Sequence, residues 1–113
     1  MEANAKLSFV RITSRKLGLL AAEVRGKNIN EALSLLKFSP RKRTAQTLYT
    51  LLKSAVANAD NKAKGAVDID TLYVKKIMVT PGPILKRFRP RAKGSAYRIN
   101  KKQSHVFVTL AER

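Results

Sequence analysis

The sequence predicts an α+β fold, in which three helices pack on a small three-stranded antiparallel sheet and a long β-hairpin protrudes. Along the 113 residues, the apolar patterns follow the order strand, three helices and two strands, and helices covering one face of a small sheet bury such a set economically. Between the last two strands lies a basic segment, residues 81–103, which is too long for a tight turn. We therefore expect one domain over residues 1–113, with a globular part (1–80 and 104–113) and an extended basic hairpin (81–103).

The first strand and the first two helices follow one another closely. Residues 6–12 are rich in β-branched and aromatic side chains, which favours a strand. Thr13 or Ser14 then offers an N-cap for the first helix, and Gly26 suits the left-handed position after its end. The apolar positions recur at helical spacing in both helices: Leu17, Leu20, Ala21 and Val24, then Ile29, Ala32, Leu33 and Leu36, with Asn28 or Asn30 as the second cap.

The third helix has the clearest pattern. Ser39 is the predicted N-cap and Pro40 the first helical residue, because the N–H that proline lacks is not needed there. One apolar stripe follows: Ala45, Leu48, Leu52, Ala55, Val56 and Ala59. Arg41, Lys42 and Arg43 fall in the first turn, where the helix dipole disfavours cations. A solvated helix end and a contact with phosphate are both open explanations for these cations.

The last two strands are predicted at residues 72–80 and 104–111. The second carries Val106, Val108 and Leu110 at alternate positions, which places all three on one face of the sheet.

Charge is the strongest functional signal. The chain has 24 Lys and Arg against 7 Asp and Glu, a formal charge of +17, and such an excess destabilises a compact state unless a polyanion neutralises it. Residues 71–111 contain ten cations and no acid. Nucleic acid is the expected partner, with anionic membrane second. The absence of Cys excludes disulfides, thiolate zinc sites and thiol catalysis, and no apolar run is long enough to span a membrane.

The segment 81–103 contains eight of the cations and no acid. Phe88 and Tyr97 are interleaved with these cations and could stack on unpaired bases, while arginine can bridge phosphates. With both legs extended, its tip could project on the order of 35–40 Å from the sheet. A lone hairpin is only marginally stable in water. A cationic hairpin therefore needs negative charge on both sides, which a folded RNA provides. A disordered basic loop that binds any polyanion is the open alternative.

Enzyme chemistry finds little support in the sequence. His105 is the only histidine, and its neighbour Ser104 would point to the opposite face of the same strand, so the two do not make a triad. Asp68 and Asp70 more often cap or solvate a loop than bind a metal. We predict no catalytic residue, no metal site and no cofactor.

The same residues carry a resemblance to a known family. The basic segment and the strand after it resemble the large-subunit ribosomal protein L22 family in its bacterial type, whose signature is a basic residue, a later Arg-small-x-Gly, and a spaced His before alternating aliphatic residues. This chain supplies the signature with Lys86, Arg91-Ala92-Lys93-Gly94, His105, Val106, Val108 and Leu110. Upstream stretches such as Ser14-Arg15-Lys16-Leu17 and Val24-Arg25-Gly26-Lys27 extend the resemblance over nearly the whole chain.

The resemblance implies a structural protein of the large ribosomal subunit that binds rRNA and aids subunit assembly. Its globular part would lie beside the exit of the nascent-peptide tunnel, and its hairpin would reach inward. The implied partners are large-subunit rRNA, neighbouring large-subunit proteins and the nascent peptide, with no membrane and no homo-oligomer. The implied location is the ribosome in the cytoplasm, with an organelle stroma or matrix left open.

The resemblance and the charge pattern together nominate specific residues. Those expected to bind rRNA are Arg15, Lys16, Lys86, Arg87, Arg89, Arg91, Lys93, Tyr97, Arg98, Lys101, Lys102 and His105. The tip expected to line the tunnel consists of Leu85, Lys86, Arg87, Phe88, Arg89, Pro90, Arg91 and Ala92.

Two other classes of protein fit the charge less well. A generic basic architectural nucleic-acid-binding protein is the alternative, and it would bind duplex DNA and unrelated RNA with similar affinity. A cationic membrane-active protein would need a basic amphipathic helix with large aromatic anchors. The third helix instead has an alanine-rich apolar face and keeps its cations mainly at one end.

Overall fold

The computed structural model describes residues 2–65, 68–90 and 96–112, and describes the backbone alone at residues 85–90 and 96–100. The helices and strands follow in this order: β1 (Glu2–Val10), α1 (Ser14–Val24), α2 (Ile29–Lys37), α3 (Lys42–Lys62), β2 (Leu72–Pro81), β3 (Leu85–Pro90), β4 (Ala96–Lys101) and β5 (Ser104–Glu112). One antiparallel sheet has the order β1-β5-β2, and β3 pairs with β4 separately. The predicted α+β fold class is confirmed.

The central strand of the sheet is β5, the last in sequence. It pairs with β1 from Glu2↔Ala111 to Val10↔Ser104 and with β2 from Leu72↔Glu112 to Pro81↔Ser104. Val106, Val108 and Leu110 are buried on one face, as predicted. The helices cover this face, since α3 lies across β1 and β5 while α1 lies against β2.

The core fills the space between the helices and this sheet. The apolar stripes of the three helices are buried as their spacing predicted, with Leu33 and Val56 at the edge of the core. Thr13 is the N-cap of α1 and its hydroxyl accepts from the Lys16 amide at 3.4 Å. Asn28 is the N-cap position of α2, although its side chain makes no capping bond.

The loop after α1 is fastened to β2. Gly26 has a φ of 80°, the left-handed conformation expected after a helix end. Its amide donates to the Val74 carbonyl at 2.9 Å, and the Val74 amide donates to the Lys27 carbonyl at 2.9 Å. This pair of bonds fixes the turn between α1 and α2 against the sheet.

Two predicted boundaries were wrong. The first strand spans Glu2–Val10 instead of residues 6–12. Pairing with β5 extends from Glu2↔Ala111 to Val10↔Ser104, and Ser104 is the first residue of β5, so the ladder has no partner for residues 11 and 12. The third helix begins at Lys42, with Arg41 as its N-cap, instead of at Pro40. Ser39 is already used in a turn, since its amide donates to the Leu36 carbonyl and its hydroxyl accepts from the Arg41 amide.

The molecule is elongated. Its extents are 65 × 26 × 17 Å and its radius of gyration is 17.2 Å, against about 13 Å for a compact domain of this length. A 21-residue helix such as α3 spans only about 32 Å. The pair of strands β3 and β4 accounts for the remaining length, so it extends away from the sheet.

Candidate nucleic-acid interface

The extended pair β3 and β4, which we call the arm strands, carries six of the twelve residues predicted to bind rRNA. The two strands pair without a bulge from Leu85↔Lys101 to Pro90↔Ala96. Within that ladder, Phe88 is paired with Arg98, and Arg89 with Tyr97. Each arm strand therefore has one aromatic residue, and in the ladder it stands opposite an arginine of the other strand. Arg91, Ala92 and Lys93 lie outside the described residues.

The arm is the extended part of the chain that contains the arm strands, and its base is where β2 ends and β5 begins. Two hydrogen bonds hold this base. The Gly82 amide donates to the Gln103 carbonyl at 2.8 Å and joins the two legs. The hydroxyl of Ser104 is fully buried and donates to the Ile12 carbonyl at 2.6 Å. The second bond ties the first residue of β5 to the loop between β1 and α1.

His105 has a structural contact at this base. Its Nδ1 accepts a hydrogen bond from the Phe9 amide at 3.1 Å. Nε2 is 3.2 Å from the position that a Cβ on Gly82 would occupy, which places His105 beside the exit of β2. Its contact with rRNA stays a prediction.

Phe9 is a residue that the sequence did not nominate. Its ring meets that of His105 edge to face, with centroids 4.9 Å apart and an interplanar angle of 85°. Its φ of 57° is rare for a bulky residue, and its side chain is 60% exposed. The bulge in β1 and the bond to His105 therefore hold an aromatic ring in solvent at the arm base. No local signal in the sequence indicates this φ.

A cationic cleft lies beside the arm base. It has a volume of about 500 Å³, and we call it the basal cleft; its lining residues are Arg11, Ile12, Thr13, Lys16, Arg43, Thr44, Lys101 and Lys102. Five of these are cations and none is acidic. The structure thus brings together three of the predicted residues, Lys16, Lys101 and Lys102, from distant parts of the chain.

Other residues extend or limit this cationic surface. Arg15 and Arg41 line an adjoining groove. This groove shares Thr13, Lys16 and Thr44 with the basal cleft. The sequence did not nominate Arg11, and for Arg43 it left open both a solvated helix end and a contact with phosphate. Only the folded topology brings them to the arm base, although the cluster at residues 41–43 was recognised as unusual.

The ion pairs of the described residues lie away from the basal cleft. They are Lys27 with Glu31, and Glu2 with Lys75. The hydrogen bond and the charge of Lys75 lower the pKa of the Glu2 carboxyl, and the same contact raises the pKa of Lys75. Within residues 2–65, 68–90 and 96–112, no group of three or more acidic or histidine side chains is placed to hold a metal ion. In that same part of the chain, no helix has the length and apolar character needed to cross a membrane.

A small α+β domain with a cationic arm and a cationic cleft at its base has the features of the basic nucleic-acid-binding class. Comparison with known proteins narrows this class. Residues 5–111 match the family described as ribosomal protein L22p/L17e, and the chain belongs to that family. The resemblance seen in the sequence is therefore confirmed.

Several curated bacterial relatives are similar over their full length. The protein named large ribosomal subunit protein uL22 from Geobacter sulfurreducens is 53% identical over 113 residues, which cover 100% of this chain and 99% of the relative. Its namesake from Syntrophotalea carbinolica is 51% identical, with 100% of both chains covered. The one from Myxococcus xanthus is 52% identical over 112 residues, covering 99% of this chain and 97% of the relative.

Proposed function

We propose that this chain is a structural protein of the large ribosomal subunit that binds large-subunit rRNA through its arm and the surface at the arm base. The observation that carries the proposal is the acid-free stretch of residues 71–111, with ten cations, in a molecule that is 65 Å long. Family membership supports the large-subunit assignment, since the relatives carry that name. The proposed location is accordingly the ribosome, in the cytoplasm.

The electrostatics suit a folded RNA. Two paired strands make a thin element with little apolar surface of its own, and their mutual repulsion falls when phosphates surround them. Each cation that neutralises a phosphate releases counterions, so affinity depends steeply on salt. Specificity would come from the shape of an RNA crevice and from stacking by Phe88 and Tyr97.

The finer roles follow from the reach of the arm. Residues 85–92 are the proposed tip of the arm, which lines the peptide tunnel and contacts the nascent peptide there. A rigid base and a long arm would contact RNA segments that are distant in sequence, which supports a role in subunit assembly. The base would also adjoin neighbouring large-subunit proteins. Nothing in these roles requires the chain to catalyse a reaction or to form a homo-oligomer.

The arm can be tested by removing its charge. We expect Lys86→Gln/Arg87→Gln/Arg89→Gln to weaken binding to transcribed large-subunit rRNA and to reduce the slope of log K against log salt by about 2 to 3, since each lost phosphate contact removes about 0.7–0.9. Filter binding across a salt series measures both. Because these residues lie on the extended pair, the unfolding temperature should not change.

A matched variant controls for total charge. Lys37→Gln/Lys53→Gln/Lys64→Gln removes three exposed cations from the helical part of the chain, and we expect its slope to change by less than one unit. Equal slopes for the two triple variants would contradict a role for the arm. Equal affinity of the unmodified chain for duplex DNA and rRNA at moderate salt would favour the generic nucleic-acid-binding protein instead.

A further inference from the structure

The basal cleft contains an excess of positive charge that the protein does not neutralise. Arg11, Lys16, Arg43, Lys101 and Lys102 line one cavity of about 500 Å³. None of the five makes an ion pair with a described Asp or Glu, because the two ion pairs of that part of the chain lie elsewhere. They come from the loop after β1, the first turn of α1, the first turn of α3, and the last residue of β4 with the residue after it. The fold therefore brings together charges that repel one another.

The start of α3 adds to this charge. Its N-cap is Arg41, whose side chain makes no capping bond. The first helical bond runs from the Ala45 amide to the Arg41 carbonyl at 2.9 Å, so the amides of residues 42–44 precede the helical ladder. These amides and the helix dipole favour an anion at this end. The chain places Lys42 and Arg43 there, which is unfavourable unless an external anion is present.

Thr44 supplies an independent indication of a ligand. The residue is only 8% exposed and lines the basal cleft. Thr47 and Thr50, on the same helix, donate back to the carbonyls of Arg43 at 3.1 Å and Gln46 at 2.9 Å. The Thr44 hydroxyl has no such bond within the described part of the chain. Because no described side-chain oxygen is both buried and unpaired, this hydroxyl is accessible from the cleft and free to donate to something that enters it.

We infer that the basal cleft binds a phosphodiester group of the RNA backbone at the N-terminus of α3. The Arg43 guanidinium, the Thr44 hydroxyl and the free amides of α3 hold the phosphate oxygens, and Arg11 and Lys16 neutralise the remaining charge. The inference rests on the proposed function only in that rRNA supplies the phosphate. The residues that hold the phosphate belong to the helical part of the chain and to the loop after β1, whereas Lys101 and Lys102 at the end of β4 only border the cleft. The site is therefore a second anchoring point, which adjoins the arm strands.

This site makes an unusual prediction for the free protein. Arg43→Gln removes a cation from the positive end of a helix, so the unfolding temperature of the free chain should stay equal or rise. The same substitution should weaken rRNA binding about tenfold, the usual effect of losing a charge-assisted hydrogen bond. A residue with a purely structural role would show the opposite change in unfolding temperature.

The experiment compares two pairs of full-length variants in filter binding to transcribed large-subunit rRNA. We expect Arg43→Gln and Thr44→Val each to weaken binding about tenfold. The matched controls Lys53→Gln and Thr47→Val change the same helix away from the basal cleft, and they should stay within about twofold of the unmodified chain. Ethylation interference on the rRNA should lose a signal at a defined phosphate in the cleft variants and keep it in the arm variant.

Three outcomes would overturn the site: cleft variants that bind like their controls, an unchanged ethylation pattern, or a lower unfolding temperature for free Arg43→Gln. A fourth outcome against it is that the cleft binds free anions and not RNA. In that case inorganic phosphate at constant ionic strength would raise the unfolding temperature, while the cleft variants would bind rRNA normally. Failure of the proposed function looks different. It would appear as equal binding of the unmodified chain to rRNA and duplex DNA, whatever the cleft variants did.

Discussion

The buried hydroxyl of Ser104 gives a sharp test of how the arm base is held. Ser104→Ala removes a hydrogen bond of 2.6 Å to the Ile12 carbonyl and leaves that carbonyl without its partner, in a residue that is only 7% exposed. Losing one partner of a buried pair costs about 1–3 kcal/mol. We therefore expect a clear loss of stability from the removal of a single oxygen atom.

The size of the effect on thermal unfolding follows from the chain length. An unfolding entropy of about 2.1 cal/mol/K per residue over 113 residues gives about 0.24 kcal/mol/K. A loss of about 1–3 kcal/mol then lowers Tm by about 4–12 °C. Circular dichroism of the free protein measures this shift.

Ser54→Ala is the matched control, because Ser54 is exposed on α3 and alanine is the better helix former by about half a kcal/mol. Its Tm should equal or slightly exceed that of the unmodified chain. If Ser104→Ala unfolds within about 1 °C of this control, the bond between the loop after β1 and the start of β5 does not stabilise the fold, and our account of the arm base is wrong.

Two further predictions concern backbone and charge. Gly26→Ala should lower the free energy of unfolding by about 1–2 kcal/mol, because Gly26 has a φ of 80°. Gly18→Ala inside α1, where an added Cβ meets nothing within 4 Å, should raise it by about 0.5–1 kcal/mol. Changes of opposite sign in chemical denaturation support the assigned conformations, and changes of equal sign contradict them. The Glu2–Lys75 pair lowers the pKa of Glu2 below its ordinary value of 4.5, so its stabilising effect is present above that value and disappears as pH falls through the lowered pKa. The small Tm difference between the unmodified chain and Glu2→Gln should therefore vanish in strong acid, and a difference that persists there would contradict this assignment.

The sequence predicted those parts of the fold that depend on local periodicity. The alternation of Val106, Val108 and Leu110 predicted a half-buried strand, and the stripe from Ala45 to Ala59 predicted the packed face of α3. These signals are strong because burying one face of a strand or helix sets both the spacing of its apolar residues and the face on which they lie. Gly26 was placed correctly for a similar reason, since a helix end followed by glycine is a local signal.

The boundaries that were wrong depended on hydrogen bonds that apolar periodicity does not reveal. Ser39 and Pro40 have the chemistry of a helix start, but the preceding turn uses the amide and hydroxyl of Ser39. The left-handed Phe9 depends on the histidine of a strand 96 positions later. The turn that competes with the helix start lies within three residues of Ser39, but the spacing of apolar residues does not reveal it. The partner of Phe9 lies outside any local window of the sequence.

The sequence indicated only part of the candidate interface, whose role in RNA binding stays a prediction. The arm is continuous in sequence, so its missing acids and its interleaved aromatics were visible directly. The basal cleft is assembled from residues 11, 16, 43 and 101–102, and only the packing of α1 and α3 at one end of the sheet brings these together. The cations at the start of α3 were the single local indication, because they lie where a helix disfavours them.

The central claim is that the arm lies within large-subunit rRNA. The chain has no Cys, so Ala96→Cys in β4 provides a single attachment point for an iron chelate that generates hydroxyl radicals, and Ser54→Cys on α3 provides a reference point on the helical part. Each derivative is assembled into large subunits that lack this protein, and rRNA cleavage is mapped by primer extension. We predict strong cleavage from position 96 in rRNA that surrounds the peptide path, at nucleotides different from those cleaved from position 54. Absence of rRNA cleavage from position 96, in subunits where position 54 cleaves normally, would contradict the claim.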